Sequence, residues 1–365
     1  MLAGICVLVL LGILTAGLWP FHAPRNEVTW LADSRGVRLG RHGTILSGKP
    51  FQQDTASDGR SIEIWLQPGR SESSSTILAF YNSNPRSQFS LHQSKANLGL
   101  QADLYSATSS DLARVGYVSD IFRSRASLFL TITSGTHGTA VYVDGVLNSR
   151  FLEFHPGNQA FTGRLVLGTS PLDNNGWSGR LFALAIYDRE LTPEQAGEHY
   201  KSWTAQGSPG VPAEDRSSAV YLFQEQTGNT IHNQTSSGVD LVIPENYSIV
   251  DEKFLEPFWQ EFHWELSYGK NALINIVGFL PLGYFFYAWW SARHLRRVLL
   301  FTVLLGAATS LTIEVLQAFL PTRDSGTTDL ITNTLGTYLG ILIYRWKPAL
   351  LYQALALLPF PKRPA

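Results

Sequence analysis

Five polar side chains stand near the ends of two long apolar segments close to the C-terminus. Glu314 and Gln317 are three residues apart, and Asp329 and Asn333 are four apart, so each pair shares one face of a helix. Arg323 lies in the short turn between these helices. Ionisable residues at membrane depth are costly unless they are paired or face a water-filled cavity. The spacing therefore predicts one polar cluster, which is either a ligand site or a structural clasp in which Arg323 neutralises Glu314 or Asp329.

Apolar segments of the length that crosses a bilayer, about 20 residues, flank a polar middle. They occupy residues 2–21, 271–292, 298–320 and 327–344. The sequence predicts a mixed fold, in which an α-helical transmembrane bundle of about four helices accompanies a globular domain. The first segment is either an uncleaved anchor or a signal peptide; its lack of a basic start favours the anchor.

Basic residues predict the orientation. Arg293, Arg296 and Arg297 follow the second span, and Arg345 and Lys347 follow the fourth. Under the positive-inside rule both termini are cytoplasmic, and the region between the first two spans lies outside. We therefore expect a multi-pass protein of the inner membrane.

The predicted domains are a first transmembrane helix at 1–22, an extracytoplasmic domain at 28–250, an interfacial segment at 251–268, a transmembrane region at 269–346 and a cytoplasmic tail at 347–365. Phe254, Phe258 and Phe262 recur every four residues in the interfacial segment, which predicts an amphipathic helix in the headgroup layer or beneath the globular domain. Within the tail, the apolar stretch 349–360 is too short to span and predicts a helix at the membrane interface.

Four blocks in the C-terminal region resemble the successive signatures of VanZ-like membrane proteins. They read NIVGFLPLG at 275–283, EVLQ at 314–317, RD at 323–324 and DLITNTLG at 329–336. The resemblance implies a small integral protein of the bacterial cell envelope. The member that gives the family its name is linked to glycopeptide antibiotic tolerance, and the resemblance does not imply a particular reaction. Asn275, which opens the first block, joins the predicted polar site. Gly336 and Gly340 form a small-xxx-small pair, which favours close helix packing.

Short strand-like runs separated by turn residues fill the polar middle and predict an antiparallel β-sandwich. Asp144 and Gly145 separate two such runs, as in a tight hairpin. The order Thr192-Pro193-Glu194-Gln195 predicts a helix start with Thr192 as N-cap. The run 219–223 predicts a terminal strand of the same sandwich.

The hairpin YVDG at 142–145 and the block GRLVLG at 163–168 resemble laminin G-like members of the concanavalin A-like jelly rolls. That resemblance implies a module that binds glycans or cell-surface proteins, sometimes with calcium. Trp177 is either a stacking platform for a sugar ring or a core residue, and Trp65 is expected in the core. Glu63 lacks the second nearby carboxylate that glycoside hydrolysis needs, so we expect no catalytic residues.

Charge and cysteine content exclude other classes. The formal net charge is −1, so no basic footprint for nucleic acid is present. The single cysteine, Cys6, lies in the first apolar segment, so disulfides cannot staple the exported part. We predict no metal site and no cofactor: the resemblance allows calcium, but the acidic residues are scattered, at Asp103, Asp111, Asp120, Asp144 and Asp173.

The predicted function is binding or assembly. The expected partners are membrane lipid together with a cell-surface glycan, a lipid-linked precursor or an envelope protein. The alternative is a membrane enzyme or a handler of lipid-linked glycans that uses Glu314, Arg323 and Asp329, with Arg323 contacting a phosphate.

Overall fold

The computed structural model describes residues 1–32, 34–52, 59–69, 74–83, 86–104, 114–206, 217–235, 238–252, 254–261 and 266–346. The chain divides into two compact units, one formed by Ala23–Asp251 and the other by Met1–His22 together with Glu252–Ala365. The predicted cytoplasmic tail, with its interfacial helix, lies outside the described residues, as do Asp111 and Phe262.

The unit Ala23–Asp251 is built from two antiparallel sheets. In the described residues its strands are β1 (Val28–Trp30), β2 (Val37–Leu39), β3 (Ile45–Ser47), β4 (Arg60–Pro68), β5 (Ser74–Ser83), β6 (Arg86–Ser94), β7 (Asn97–Leu104), β8 (Arg114–Val118), β9 (Leu128–Gly135), β10 (Gly138–Val143), β11 (Val146–Phe151), β12 (Arg164–Leu167), β13 (Gly179–Tyr187), β14 (Ser217–Tyr221), β15 (Thr230–Ile231) and β16 (Leu241–Val242). One sheet runs β1-β2-β13-β4-β9-β10-β11, with β14 also paired to β13, and the other runs β15-β16-β3-β12-β5-β6-β7-β8. The predicted antiparallel β-sandwich is confirmed.

The core lies between the two sheets and follows from side-chain alternation. On β4, Ile62, Ile64 and Leu66 are fully buried among the apolar side chains of both sheets. The intervening Glu63 and Trp65 point to the opposite face, as the period of two in a strand requires. There Trp65 packs against a second apolar cluster that includes Trp203 of helix α2 (Pro193–Gln206). The sandwich therefore has a helix packed on one outer face.

Local signals in the sequence placed several of these elements. Asp144 and Gly145 both adopt positive φ, 51° and 75°, and join β10 to β11 with Val143 paired to Val146. The Asp144 carboxylate accepts a hydrogen bond from Phe129 N–H at 2.9 Å, which fits its predicted role as a turn residue. At the start of α2, Thr192 Oγ1 accepts from Gln195 N–H and Gln195 Oε1 accepts from Thr192 N–H. The predicted hairpin and helix start are thus confirmed. The run 219–223 contributes to strand β14 of the same sandwich, as predicted, but β15 and β16 follow it, so it is not the terminal strand.

The other unit is helical. In order it contains α1 (Leu2–Leu18), the short α3 (Phe258–Glu261), α4 (Leu266–Ala292), α5 (Val298–Gln317) and α6 (Thr327–Trp346). Helices α1, α5 and α6 each pack against α4, and α5 also contacts α1 and α6. By length and composition, Tyr268–Ala292 and Val298–Gln317 qualify as membrane spans, while Leu2–Leu18 is a shorter apolar helix. Two of the four predicted spans thus meet this criterion.

Glycines allow α4 and α6 to approach each other closely. A Cβ added at Gly336 or Gly340 would collide with the backbone of α4 at Ile276 or Leu280. A Cβ at Gly283 of α4 would meet the backbone of Thr337 on α6 in the same way. Gly336 and Gly340, which the sequence predicts as packing positions, are therefore contact points between helix backbones.

The interfacial segment differs from its prediction. Instead of one amphipathic helix beginning near Phe254, the described residues contain only the single turn Phe258–Glu261 before α4. Glu256 forms a parallel bridge with Gly326, donating its N–H to Ser325 O at 3.0 Å and accepting from Thr327 N–H at 2.9 Å. Because the backbone of Glu256 is paired with a distant loop, it cannot take part in a helical ladder.

Candidate functional site

The six predicted polar residues line one cavity of the helical unit. The cavity has a volume of about 510 Å³, and helices α1, α4, α5 and α6 and the loop between α5 and α6 contribute to its walls. Its polar lining residues are Asn275, Glu314, Gln317, Arg323, Asp329 and Asn333. The apolar lining includes Val9 and Ile13 of α1 and Phe279 of α4. Helical spacing predicted each polar pair, and the packing of four helices brings the pairs together.

Glu314 is a buried carboxylate held by backbone. Its side chain is 1% exposed, and Oε2 accepts a hydrogen bond from Gly326 N–H at 2.8 Å. Gly326 immediately precedes α6, so the last turn of α5 is tied to the start of the next helix. A buried carboxylate needs such donors because removing it from water is otherwise costly.

In Gln317 and Asn333 the side-chain amide nitrogen donates a hydrogen bond, while the amide oxygen accepts none from the described residues. Gln317 Nε2 donates to Gly17 O of α1 at 2.8 Å, and Asn333 Nδ2 donates to Ser310 Oγ of α5 at 2.9 Å. Gln317 Oε1 and Asn333 Oδ1 are buried and have no hydrogen-bond partner among the described residues. Buried polar atoms are normally satisfied, so two unpaired acceptors on residues that line one cavity indicate where a donor could bind after a small side-chain movement.

Arg323 does not form the predicted clasp with a carboxylate. Its Nε and Nη2 both donate to the backbone oxygen of Trp19, just beyond the end of α1. The guanidinium is exposed and joins α1 to the α5–α6 loop. Arg323 therefore links two parts of the helical unit, as the clasp hypothesis predicted, but it does so through a backbone carbonyl group and not through a carboxylate.

Asp329 and Asn275 complete the polar lining. Asp329 lies in the first turn of α6, where the helix dipole favours a negative charge. Asn275 is partly buried on α4, on the stretch that also contributes Ile274, Gly278 and Phe279 to the cavity. The cavity thus combines two carboxylates and three amides with apolar walls.

Four participants were missed by the sequence prediction. Ser310 precedes Glu314 by four residues on the same helix, so its spacing could have revealed it. The carbonyl groups of Gly17 and Trp19 and the N–H of Gly326 carry no signal in residue type, because any residue offers them.

Trp177 is not a glycan platform. It is fully buried in the sandwich core, and its Nε1 donates to Gln93 Oε1 at 2.6 Å. Stacking on a sugar requires an accessible ring face. The core alternative therefore holds for Trp177 and the stacking prediction is wrong.

Glu63 also lies away from solvent. It is 0% exposed and accepts hydrogen bonds from Thr131 Oγ1 at 3.1 Å and Tyr187 Oη at 2.7 Å, while His199 Nδ1 of α2 lies 2.9 Å away. This buried network joins α2 to the sheet. Over the described part of the chain, no group of three or more His, Cys, Asp or Glu side chains is arranged to hold a metal.

Taken together, fold and site define a two-unit protein: an antiparallel β-sandwich and a helical unit with a polar cavity. The family comparisons give these units names. The VanZ/LLP1 family model matches residues 218–351, and the model of the concanavalin A-like lectin/glucanases superfamily matches residues 42–197. The chain contains a VanZ-like region and a laminin G-like domain of the concanavalin A-like superfamily. No curated protein is similar in sequence.

Solved structures give distant likenesses. The binding domain of Paraclostridial Mosquitocidal Protein 1 is 14% identical with a TM-score of 0.36, covering 49% of this chain and 47% of that one. The heptameric SAP-like pentraxin of Limulus polyphemus is 14% identical at 0.34, covering 62% and 96%. The CBM40 of the Ruminococcus gnavus IT-sialidase, bound to alpha2,3 sialyllactose, is 12% identical at 0.34, covering 45% and 96%. The chain spans less than half of the length of the first of these. At these TM-scores the likenesses do not indicate a ligand for this chain.

Proposed function

We propose that this protein is an integral protein of the bacterial cell envelope, anchored in the inner membrane by four helices and presenting its sandwich outside the cytoplasm as a binding module. The bound partner is a cell-surface glycan or an envelope protein, and the role is binding or assembly rather than catalysis. Kinship with VanZ-like proteins makes glycopeptide antibiotic tolerance the process to examine first.

The observation that carries this proposal is the apolar exterior of the helical unit. Leu8 of α1 is 70% exposed, Leu304 of α5 52% and Ile331 of α6 52%. Soluble proteins rarely expose so many large apolar side chains over one surface, because each costs free energy in water. A lipid environment removes that cost.

Helices α1 and α6 are proposed as spans because they belong to the same bundle. Both pack against α4, and both expose large apolar side chains, as α4 and α5 do. The hydrogen bonds from Gln317 to Gly17 and from Arg323 to Trp19 support an α1 that is retained as an anchor. With α1 present, an even number of spans places both termini on the same side, and the basic residues after the second and fourth spans make that side the cytoplasm.

Reporter fusions test the topology in the full chain. A reporter active only in the cytoplasm is fused after Ala365, and the same reporter is inserted in the polar stretch 207–210 that follows α2. We expect activity at the C-terminus and none in the sandwich, with a periplasmic reporter giving the reverse. Equal activity at both positions would refute the four-span arrangement.

Glycan and protein partners are tested with the full-length protein in detergent. We expect retention of at least one class of cell-surface glycan on an array, or co-purification of an envelope protein after cross-linking in cells. Deletion of the gene should change sensitivity to glycopeptide antibiotics if the VanZ-like kinship extends to function. A protein that retains neither class of partner would contradict the proposed binding role.

A second candidate function is the handling of a lipid-linked glycan, and the cavity favours it. Carboxylates and amides beside apolar walls suit a molecule with a polar head and a lipid tail. Loss of lipid-linked precursors, or their accumulation, in a Glu314→Gln strain with normal protein abundance would support handling over anchoring.

A further inference from the structure

The polar end of the cavity is rich in hydrogen-bond acceptors. Gln317 is 7% exposed and Asn333 is 5% exposed, and in the described part of the chain neither amide oxygen has a hydrogen-bond partner. The carboxylates of Glu314 and Asp329 lie on the same lining. Carboxylates and amide oxygens bind O–H and N–H groups, so the complementary ligand carries donors.

Among the described lining residues Arg323 is the only cation, and it is already engaged. Arg323 directs two of its donors to the Trp19 carbonyl oxygen, outside the group of acceptors. A ligand recognised mainly through a phosphate would need the planar guanidinium to face it with two parallel donors. The geometry therefore favours a donor-bearing head group over recognition through phosphate alone.

The opposite wall of the cavity is apolar and opens between α1 and α4. Gly12 and Gly278 line it and both are exposed. Within the described ranges of the chain, no atom lies within 4 Å of a Cβ added at either position. From Val9 to Gly17 the wall follows α1 for about 12 Å, at the rise of an α-helix. If the unit lies in a membrane, as proposed above, this opening faces the lipid.

We infer that the cavity binds a membrane amphiphile whose head group carries hydroxyl or amine donors. The donors reach Gln317 Oε1 and Asn333 Oδ1, and the tail leaves through the gap beside Gly12 and Gly278. This inference rests on the proposed membrane location and adds a ligand class to it.

Three phospholipids with identical acyl chains provide the probes. Phosphatidylethanolamine carries ammonium donors, phosphatidylglycerol carries hydroxyl donors, and phosphatidylcholine has neither. Native mass spectrometry of the full-length protein in detergent measures bound lipid against concentration. We expect the ethanolamine lipid, the glycerol lipid or both to bind about tenfold more tightly than the choline lipid. A preference for one of the two identifies the donor as amine or hydroxyl.

Two substitutions separate the head and tail parts of the site. Gly278→Leu fills the gap and should reduce binding of all three lipids about tenfold or more, while Gly4→Leu, also in open space but off the lining, should not. Gln317→Met removes the acceptor oxygen together with the hydrogen bond from Nε2 to Gly17 O. If it folds with an unchanged melting temperature, it should reduce the difference in affinity between the donor-bearing lipids and the choline lipid. If Gly278→Leu lowers the melting temperature, Gly12→Leu replaces it on the other side of the gap.

Equal binding of all three lipids to the wild type would overturn the inference, as would equal loss in Gly278→Leu and Gly4→Leu. The reporter fusions decide the membrane location independently. If the reporters show the expected topology but the protein has no lipid preference, only the ligand assignment is refuted. If the reporters show a different topology, the proposed function is refuted as well.

Discussion

Glu314 Oε2 lies 2.8 Å from the backbone nitrogen of Gly326, so the end of α5 is fastened to the residue that precedes α6. The same loop pairs with Glu256, through Ser325 O and Thr327 N–H. A buried carboxylate, a loop and the segment leading into α4 therefore form one connected structure. The position of the cavity's polar end depends on that structure.

Two substitutions of Glu314 should show how much the hydrogen bond to Gly326 N–H contributes to stability, apart from the space that the side chain fills. Glu314→Gln keeps an acceptor for Gly326 N–H, so we expect a small change in the stability of the folded protein. Glu314→Leu leaves that N–H buried without a partner, which costs about 1–3 kcal/mol. Melting temperature in detergent and abundance in membranes measure both effects.

The abundance of an Arg323→Ala variant should be compared with that of Glu314→Leu. Its guanidinium is exposed, so loss of the bonds to Trp19 O should lower abundance less than Glu314→Leu does. A loss equal to or greater than that of Glu314→Leu would show that the attachment of α1 governs the stability of the unit.

Close packing of α4 on α6 should make Gly340 intolerant of any side chain. The added Cβ of Gly340→Ala meets Leu280 O and Tyr284 N of α4, so the helices must separate. Overpacking of this kind costs about 1–3 kcal/mol. Gly269→Ala, also in a helix but with open space around it, is the matched control and should unfold like the wild type. Equal melting temperatures for the two variants would refute the close contact.

Elements with a local signal were predictable from the sequence. The Asp144–Gly145 turn needs positive φ, and the box formed by Thr192 and Gln195 depends on neighbours three residues apart. The pairs Glu314 with Gln317 and Asp329 with Asn333 could be placed on helix faces for the same reason. Each of these predictions concerns residues that are one to four positions apart, and at such separations the local backbone geometry determines which side chains are neighbours.

Contacts made by distant backbone groups had no such signal. Gln317 bonds to Gly17 and Arg323 to Trp19, about three hundred residues earlier in the sequence. The apolar period around Phe258 indicated a long helix, but Glu256 pairs with the loop at Gly326 instead. Trp177 stands in a polar stretch of sequence just before β13 and is nevertheless buried in the sandwich core, where its indole Nε1 donates to Gln93 on β6.

The Glu63 network should dominate the attachment of α2 to the sandwich. Glu63→Ala removes the acceptor shared by Thr131 and Tyr187 and the neighbour of His199, all buried. Loss of this shared acceptor affects several buried donors at once, and a buried donor left unsatisfied costs about 1–3 kcal/mol. Tyr187→Phe removes a single hydrogen bond and should cost about 1–2 kcal/mol. Chemical denaturation followed by tryptophan fluorescence measures both, and an equal loss would argue against a network centred on Glu63.

His92 should make the sandwich less stable in mild acid. Burial lowers the pKa of His92 from its ordinary value of 6.5, and a hydrogen bond with Gln101 opposes the shift only in part. Its ring lies between Thr76 Oγ1, 3.3 Å from Nδ1, and Ser90 Oγ, 3.0 Å from Nε2. In the unfolded chain His92 takes up a proton as the pH falls through about 6.5, while in the folded chain it does so only at lower pH.

The unfolded state therefore binds more protons than the folded state between the two pKa values, and stability rises with pH across that window. The contribution is fully present above about pH 6.5, is lost as the pH falls towards the folded pKa, and does not change further below it. His92→Gln removes the titrating ring and keeps a polar side chain of similar reach. We expect its melting temperature to fall less than that of the wild type between pH 7 and pH 5, with His137→Gln, an exposed histidine, as the control. Parallel curves for the wild type and His92→Gln would show that His92 does not contribute to the acid sensitivity.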